Sequence, residues 1–108
     1  MPAIGTALGL PFVRKAGPLT PPTLAPSLMV SESGGVATLD WTASNKTGSA
    51  GFAYRVSRDS GGGFGLITTT QALSYNDSLG TGTYHYKITP YNDAGDGPDS
   101  NTETIVIP

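Results

Sequence analysis

The sequence predicts an all-β protein: a seven-stranded antiparallel β-sandwich with an extended N-terminal arm. Apolar and polar side chains alternate with a period of two along most of the chain, as in strands that bury one face. Turn-forming residues separate these segments, with 15 glycines and 9 prolines, while charged residues make up only 13% of the chain. The length of 108 residues suits one domain, so we expect an arm (1–16), a proline-rich linker (17–25) and one domain (26–108).

The first three strands follow from the alternation that begins after the linker. A polar run over residues 31–35 ends in two glycines and predicts the turn between the first strand and the second. The inward positions of these strands are Leu28 and Val30, then Ala37, Leu39 and Trp41, then Phe52, Tyr54 and Val56.

The remaining four strands are separated by glycine-rich and polar turns. Residues 60–63 form a Ser-Gly-Gly-Gly turn, in which glycine takes positive φ without steric cost, and residues 64–70 supply the fourth strand. Leu73 and Tyr75 mark a short fifth strand, and residues 102–107 form the last. The inward positions on the sixth and last strands are Tyr84, Tyr86 and Ile88, then Ile105 and Ile107.

Composition argues against several classes of function. The net charge is −2 and the six basic residues are scattered, so we expect no nucleic acid partner. The chain has no cysteine, so hydrophobic burial must hold the fold without disulfides or thiolate metal sites. No run approaches the roughly 20 apolar residues of a membrane span, and the N-terminus lacks the basic region of a secretory signal. We therefore expect no membrane contact.

Several residues of the predicted domain carry a family resemblance. They are Pro26 before the first strand, Trp41 at the end of the second, Tyr54 and Val56 on the third, Leu79 to Tyr84 at the start of the sixth, and Asn92, Gly95 and Ser100 around the last hairpin. With these residues the domain, 26–108, resembles a fibronectin type III module. The short turn between Leu79 and Tyr84 is similar to bacterial and bacteriophage examples.

The resemblance implies an immunoglobulin-like sandwich in which Tyr84 forms a tyrosine corner, its hydroxyl bonded back to the main chain. Pro90 departs from the family pattern, and because proline donates no backbone hydrogen bond, it predicts a free edge or a bulge. The expected core residues are Trp41, Tyr54, Val56, Leu79, Tyr84, Tyr86 and Ile88.

No set of residues forms a catalytic motif, so we expect no enzyme, no cofactor and no metal centre. His85 is the only histidine and points outward between two inward tyrosines. The carboxylates of Asp93, Asp96 and Asp99 fit turn chemistry, with a weak ion site as the alternative. Phe64 and Tyr91 are the aromatic residues expected outside the core, which makes them the candidate ligand contacts, with a carbohydrate as the ligand.

The arm is where we expect the specific function. Ile4, Leu8, Leu10, Phe12 and Val13 are the candidate docking residues, because an apolar segment in water needs a partner to cover it. Burying such side chains contributes about 8 to 12 kcal/mol, whereas ordering about 13 residues costs about 13 to 26 kcal/mol. Docking therefore needs backbone hydrogen bonds as well, for example by adding a strand to a neighbour's sheet, or several copies acting together. The alternative is an unstructured tail.

An anchoring arm, a spacer and an outward-facing domain predict a structural protein of a bacteriophage particle: a capsid decoration, a collar or a tail/fibre component. The first twelve residues also resemble the start of short phage proteins. The expected partners are other virion proteins, or copies of this chain, bound through the arm, and the expected location is the virion. The alternative is a carbohydrate- or protein-binding accessory module of a bacterial surface or secreted protein, located outside the cell, with host surface glycans as candidate ligands.

Overall fold

Eight β-strands make up the regular structure of residues 18–108, which the computed structural model describes. They are β1 (Leu28–Ser33), β2 (Val36–Trp41), β3 (Ala53–Asp59), β4 (Phe64–Thr70), β5 (Ser74–Ser78), β6 (Gly82–Asn92), β7 (Gly95–Asp96) and β8 (Glu103–Ile107). The smaller sheet has the order β1-β2-β5, and the larger has the order β4-β3-β6-β7, with β8 also paired to β6. All pairs are antiparallel.

These two sheets confirm the predicted all-β antiparallel sandwich. The strand count exceeds the predicted seven because β7, only two residues long, pairs with Tyr91 and Asn92 where the sequence predicts a turn. No helix in the described part of the chain is long and apolar enough to cross a membrane.

The core lies between the sheets and is built from alternate residues of the strands. Trp41 and Tyr54 meet edge to face, with ring centroids 5.8 Å apart, and Phe52 packs against Tyr54 at 5.1 Å. Leu79 and Tyr84 are half-buried and pack against the edge of this cluster. The buried members of the cluster are Leu28, Ala37, Leu39, Trp41, Phe52, Tyr54, Val56, Tyr86 and Ile88.

The turn between β1 and β2 requires glycine at both of its positions. Gly34 and Gly35 are the two residues between the strands, and both take positive φ, 61° and 82°. A two-residue turn with both φ angles positive matches the right-handed twist of the strands it joins. Residues with a Cβ would be strained at both positions.

Pro90 lies on β6 where its neighbouring strand is interrupted. The carbonyl of Pro90 accepts a bond from Gly97 N (2.7 Å), on the side of β6 where β7 ends and β8 has not begun. A residue's N–H and C=O point to the same side of a strand, so the missing N–H of Pro90 faces this gap and costs no ladder bond to β3. Ser100 bridges the gap, with its amide donating to Ile88 O (2.8 Å) and its hydroxyl accepting from Ile88 N (2.8 Å).

The segment before β1 is bound to the sandwich. Thr23 N donates to Asn45 Oδ1 (2.9 Å), Asn45 Nδ2 donates to Thr23 Oγ1 (2.7 Å), and Asn92 Nδ2 donates to Thr20 O (2.9 Å). Pro22 is buried. The packed unit therefore begins several residues before the predicted domain boundary and includes the second half of the predicted linker.

Candidate functional site

The two aromatic residues predicted as ligand contacts lie at opposite ends of the outer face of the larger sheet. Phe64 pairs with Asp59, the last residue of β3, and Tyr91 pairs with Ala53, the first. The length of β3 separates them by about 20 Å. A single sugar ring cannot stack on both, so the structure does not bring these two residues into one site.

Each of these rings has a cation close to it. Arg55 Cζ lies 4.0 Å from the centroid of Tyr91, and Lys87 Nζ lies 4.8 Å from the centroid of Phe64. A cation at this distance is attracted to the negative face of the ring. Arg55 is also ion-paired with Asp96, so both this ion pair and the contact with the ring keep its guanidinium over Tyr91. Phe64, which is 40% exposed, is the more accessible ring.

The carboxylates after β6 pair with strand residues and do not converge. Asp99 accepts from Thr89 Oγ1 (2.6 Å) and Lys87 Nζ (3.1 Å). Burial raises the pKa of Asp99, but these two hydrogen bonds outweigh it and lower the pKa below its ordinary value. Asp96 is ion-paired with Arg55 on β3, and Asp93 is exposed beside Gly51. Within residues 18–108 no three His, Asp or Glu side chains lie close enough to hold a metal ion together.

His85 points away from the core. Its Nδ1 lies 2.7 Å from Thr104 Oγ1 on β8, which pairs with β6 at this position. The ring is half-buried on the outer face of the larger sheet. This contact joins two neighbouring strands.

A polar cluster inside the sandwich was not predicted from the sequence. Arg58 Nη1 on β3 lies 2.6 Å from Asp77 Oδ2 on β5, and Tyr86 OH donates to the same oxygen (2.7 Å). The hydrogen bond to Asp77 raises the pKa of Arg58, although burial opposes it. Burial, followed by the bond to Asp77, raises the pKa of Tyr86. The sequence did contain an indication of this cluster. Arg58 lies four residues after Tyr54 on β3, so the alternation that points Tyr54 inward also points Arg58 inward.

An open cleft of about 420 Å³ lies at the end of the sandwich where β3 begins and β4 ends. Gln71 lies on one side of the cleft, where its Nε2 donates to Phe52 O (3.2 Å). Leu73 lies at the rim of the cleft and is 44% exposed. Alternation cannot reveal such a cleft, because loops far apart in sequence form it. The lining residues are Ala43, Thr47, Phe52, Tyr54, Gln71 and Leu73.

The arm residues predicted to dock, Ile4, Leu8, Leu10, Phe12 and Val13, lie outside the described residues. The structure does describe the segment that leads to them, residues 18–27. This segment binds at the same end of the sandwich as the cleft, through Asn45 and Asn92.

The tyrosine corner implied by the resemblance is formed. Tyr84 OH donates to Gly80 O at 2.9 Å, four residues earlier in the chain. Gly82 lies under the ring, where a Cβ would be 3.3 Å from the hydroxyl oxygen. The bond therefore fixes the connection between the smaller sheet and β6.

No protein-family model and no curated protein matches the sequence. Solved structures do match. The sixth fibronectin type III domain of human fibronectin type III domain containing protein 3 is 22% identical, with a TM-score of 0.66 over 86% of this chain and 91% of that one. The chicken CNTN1 FN1-FN3 domains are 24% identical, with a TM-score of 0.67 over 90% of this chain and 38% of that one.

A bacterial structure also matches, the pectate lyase PelI from Erwinia chrysanthemi in complex with tetragalacturonic acid. It is 20% identical, with a TM-score of 0.61 over 74% of this chain, but the match spans only 27% of the lyase chain. At such identities the likeness establishes the fold alone. With the two sheets, the tyrosine corner and these neighbours together, the described part of the chain has the fibronectin type III fold.

Proposed function

We propose that this chain is a non-enzymatic structural protein of a bacteriophage particle, anchored by its N-terminal arm with the sandwich facing outward. The role would be that of a capsid decoration, a collar or a tail/fibre component. The fold supports a binding or structural module. The polar side chains of residues 18–108 support it too, because their hydrogen bonds secure turns, strands and the N-terminal segment.

The observation that carries the proposal is the fixed exit point of the arm. Thr20 and Thr23 are bonded to the sandwich, and Gly97 lies so close to Pro22 that a Cβ on Gly97 would be 2.7 Å from Pro22 O. The arm must therefore leave from this end of the domain. The carbonyl of Pro108 lies at the opposite end, bound by Thr81 Oγ1 at 3.1 Å. If a partner on the particle binds the arm, the end of the domain that carries Pro108 would point away from that partner.

The contents of the core support a docking role for the arm. Buried side chains from residues 28–107 already fill the space between the sheets. The five large apolar side chains of the arm would thus be covered by a neighbouring subunit, since leaving them in water favours aggregation. Many copies on one particle would add their separately weak contacts.

Purified virions test this proposal. Mass spectrometry should detect the chain in particles from a host that produces it. Deleting residues 1–16 should reduce its incorporation to background. The matched control is Leu19→Ser, which removes an exposed apolar side chain outside the arm and should leave incorporation near the wild-type level. Absence of the wild-type chain from the particles, or equal incorporation of the deletion variant, would contradict the proposal.

The open cleft and the accessible Phe64 favour a second candidate, a carbohydrate- or protein-binding module at the cell surface or outside the cell. An array of bacterial glycans probed with the full chain would separate the two functions. Retention of a glycan that is lost in Phe64→Ala or Leu73→Ser, together with absence from virions, would favour this second candidate.

A further inference from the structure

We propose that the arm of one copy adds a strand to the free edge of β4 in a second copy, so that two chains exchange arms. The inference rests on the proposed function, because it takes the arm to be a docking segment, and it specifies the partner and the surface. Four observations support it: the composition of β4, its exposed apolar face, the matching pattern of the arm, and the direction in which the arm leaves the domain.

Strand β4 is the least protected edge among residues 18–108. It runs over Phe64–Thr70, seven residues with no charged side chain and no proline, and its far side pairs with no described strand. Edge strands normally carry charges that deter pairing with other chains. The other strands at the sheet edges are shorter, and each carries an acidic residue: Glu32 in β1, Asp77 in β5, Asp96 in β7 and Glu103 in β8.

The outer face of β4 offers an apolar surface beside this free backbone. Phe64 is 40% exposed and Leu66 is 59% exposed, and both lie on the solvent side of the larger sheet. A bulge between Val56 and Ser57 of the partner strand leaves Ile67 unpaired, so the flat apolar part is the first half of β4. An added strand with large apolar side chains on the same face would cover Phe64 and Leu66.

The arm has the pattern that such a strand needs. Even positions of residues 4–12 hold isoleucine, threonine, two leucines and phenylalanine, whereas odd positions hold only glycine, alanine or proline. This period of two predicts a strand with one bulky face and one flat face. Pro11 cannot donate to a ladder, which limits pairing to residues 4–10. That segment has seven residues, the same number as β4.

Antiparallel pairing of these segments places Leu8 opposite Leu66 and Leu10 opposite Phe64. In this register Arg14 and Lys15 extend past the start of β4, towards the carboxylate of Asp59, the last residue of β3. The charges are therefore complementary at the end where the arm leaves the ladder.

The direction of the chain favours a second copy over the same copy. Asn92, which binds Thr20, lies at the end of the larger sheet where β4 finishes. An arm that runs towards Thr20 in its own domain would have to cross β6 and β3 and then lie parallel to β4. Antiparallel pairing is the more stable arrangement, and a second copy related by a two-fold axis provides it.

Sedimentation velocity of the full chain tests the interface. We expect a dimer. Leu66→Lys, which charges the free edge, should raise the dimer dissociation constant at least tenfold. The matched control Met29→Lys adds the same charge at a position that is 72% exposed on β1, and it should leave the dimer intact. Unchanged thermal unfolding would show that both variants are folded. A monomeric wild-type chain, or equal weakening by both variants, would overturn the inference.

Disulfide trapping tests which copy supplies the arm, and the absence of native cysteine makes it direct. Mixing a Leu8→Cys chain with a Leu66→Cys chain should give a disulfide-linked heterodimer under mild oxidation. The matched pair Leu8→Cys and Met29→Cys should not. No heterodimer, or an internal disulfide in a monomeric Leu8→Cys/Leu66→Cys chain, would overturn exchange between copies.

The two proposals fail separately. A chain that is monomeric in solution but needs its arm to enter virions would overturn arm exchange and leave the virion role standing. A chain that forms the exchanged dimer but is absent from virions would overturn the virion role alone.

Discussion

Arg58 and Asp77 connect the two sheets through the interior, with Arg58 Nη1 2.6 Å from Asp77 Oδ2. Asp77 is 8% exposed, and the oxygen that meets this guanidinium also accepts from the hydroxyl of Tyr86 at 2.7 Å. The Arg58 side chain is 30% exposed and therefore partly screened by water. The pair lies at one end of the apolar cluster between the sheets.

Replacing Asp77 with alanine should destabilise the domain substantially. Breaking a buried ion pair typically costs about 3 to 5 kcal/mol, and the partial exposure of Arg58 reduces our expectation to about 2 to 3 kcal/mol. Urea denaturation measures the loss. The control is Asp40→Ala at an exposed position of β2, which should change the free energy of unfolding by less than about 0.5 kcal/mol. Equal losses in the two variants would contradict the interior role of Asp77.

Trp41 should tolerate phenylalanine far better than alanine. Trp41 is 5% exposed and its ring meets that of Tyr54, so truncation to alanine should cost about 3 to 5 kcal/mol. Among the described residues its Nε1 is buried without a hydrogen-bond partner, so Trp41→Phe removes an unsatisfied donor as well as ring volume. We expect Trp41→Phe to cost about 1 kcal/mol. Similar losses in the two variants, measured by chemical denaturation, would contradict this account.

Gly97→Ala should release the N-terminal segment while leaving the sheets in place. A Cβ at Gly97 would lie 2.7 Å from Pro22 O and 2.9 Å from Pro22 Cβ, and the Pro22 backbone cannot yield without moving the segment. We expect faster hydrogen exchange at Thr23 N and Leu24 N and a loss of about 1 to 3 kcal/mol. Gly80→Ala, where a Cβ meets nothing within 4 Å, is the control. Unchanged exchange in Gly97→Ala would show that the segment is not bound there.

Stability should fall in acid, partly through Asp99. Because the native pKa of Asp99 is lower than its ordinary value of 3.8, its contribution is complete above that value and is lost as the pH falls through the native pKa. The free energy of unfolding should therefore drop less in Asp99→Asn than in the wild type between about pH 6 and about pH 2. Thr102→Ala, a neutral change at an exposed position, should keep the full drop. An identical drop in Asp99→Asn would contradict the prediction.

The sequence by itself determined the fold class and the inward face of most strands. Alternation is a local property: if Tyr54 points inward, Val56 must too, whatever lies opposite, and both are buried. Leu79 and Tyr84 were predicted as core residues but are only half-buried, since they lie where the chain passes from one sheet to the other. Alternation also left β7 unassigned, because two residues show no period.

Only the tertiary structure decided which distant residues meet. Arg58 finds Asp77, Arg55 covers Tyr91, and Pro22 packs under Gly97 because strand order and register bring separate segments together. Alternation along a strand shows which face a side chain occupies. It does not show which strand lies opposite or which edge of a sheet stays free. The sequence thus determined that the chain forms a sandwich and carries an apolar arm. The pairing of strands decided that β4 is its uncharged free edge.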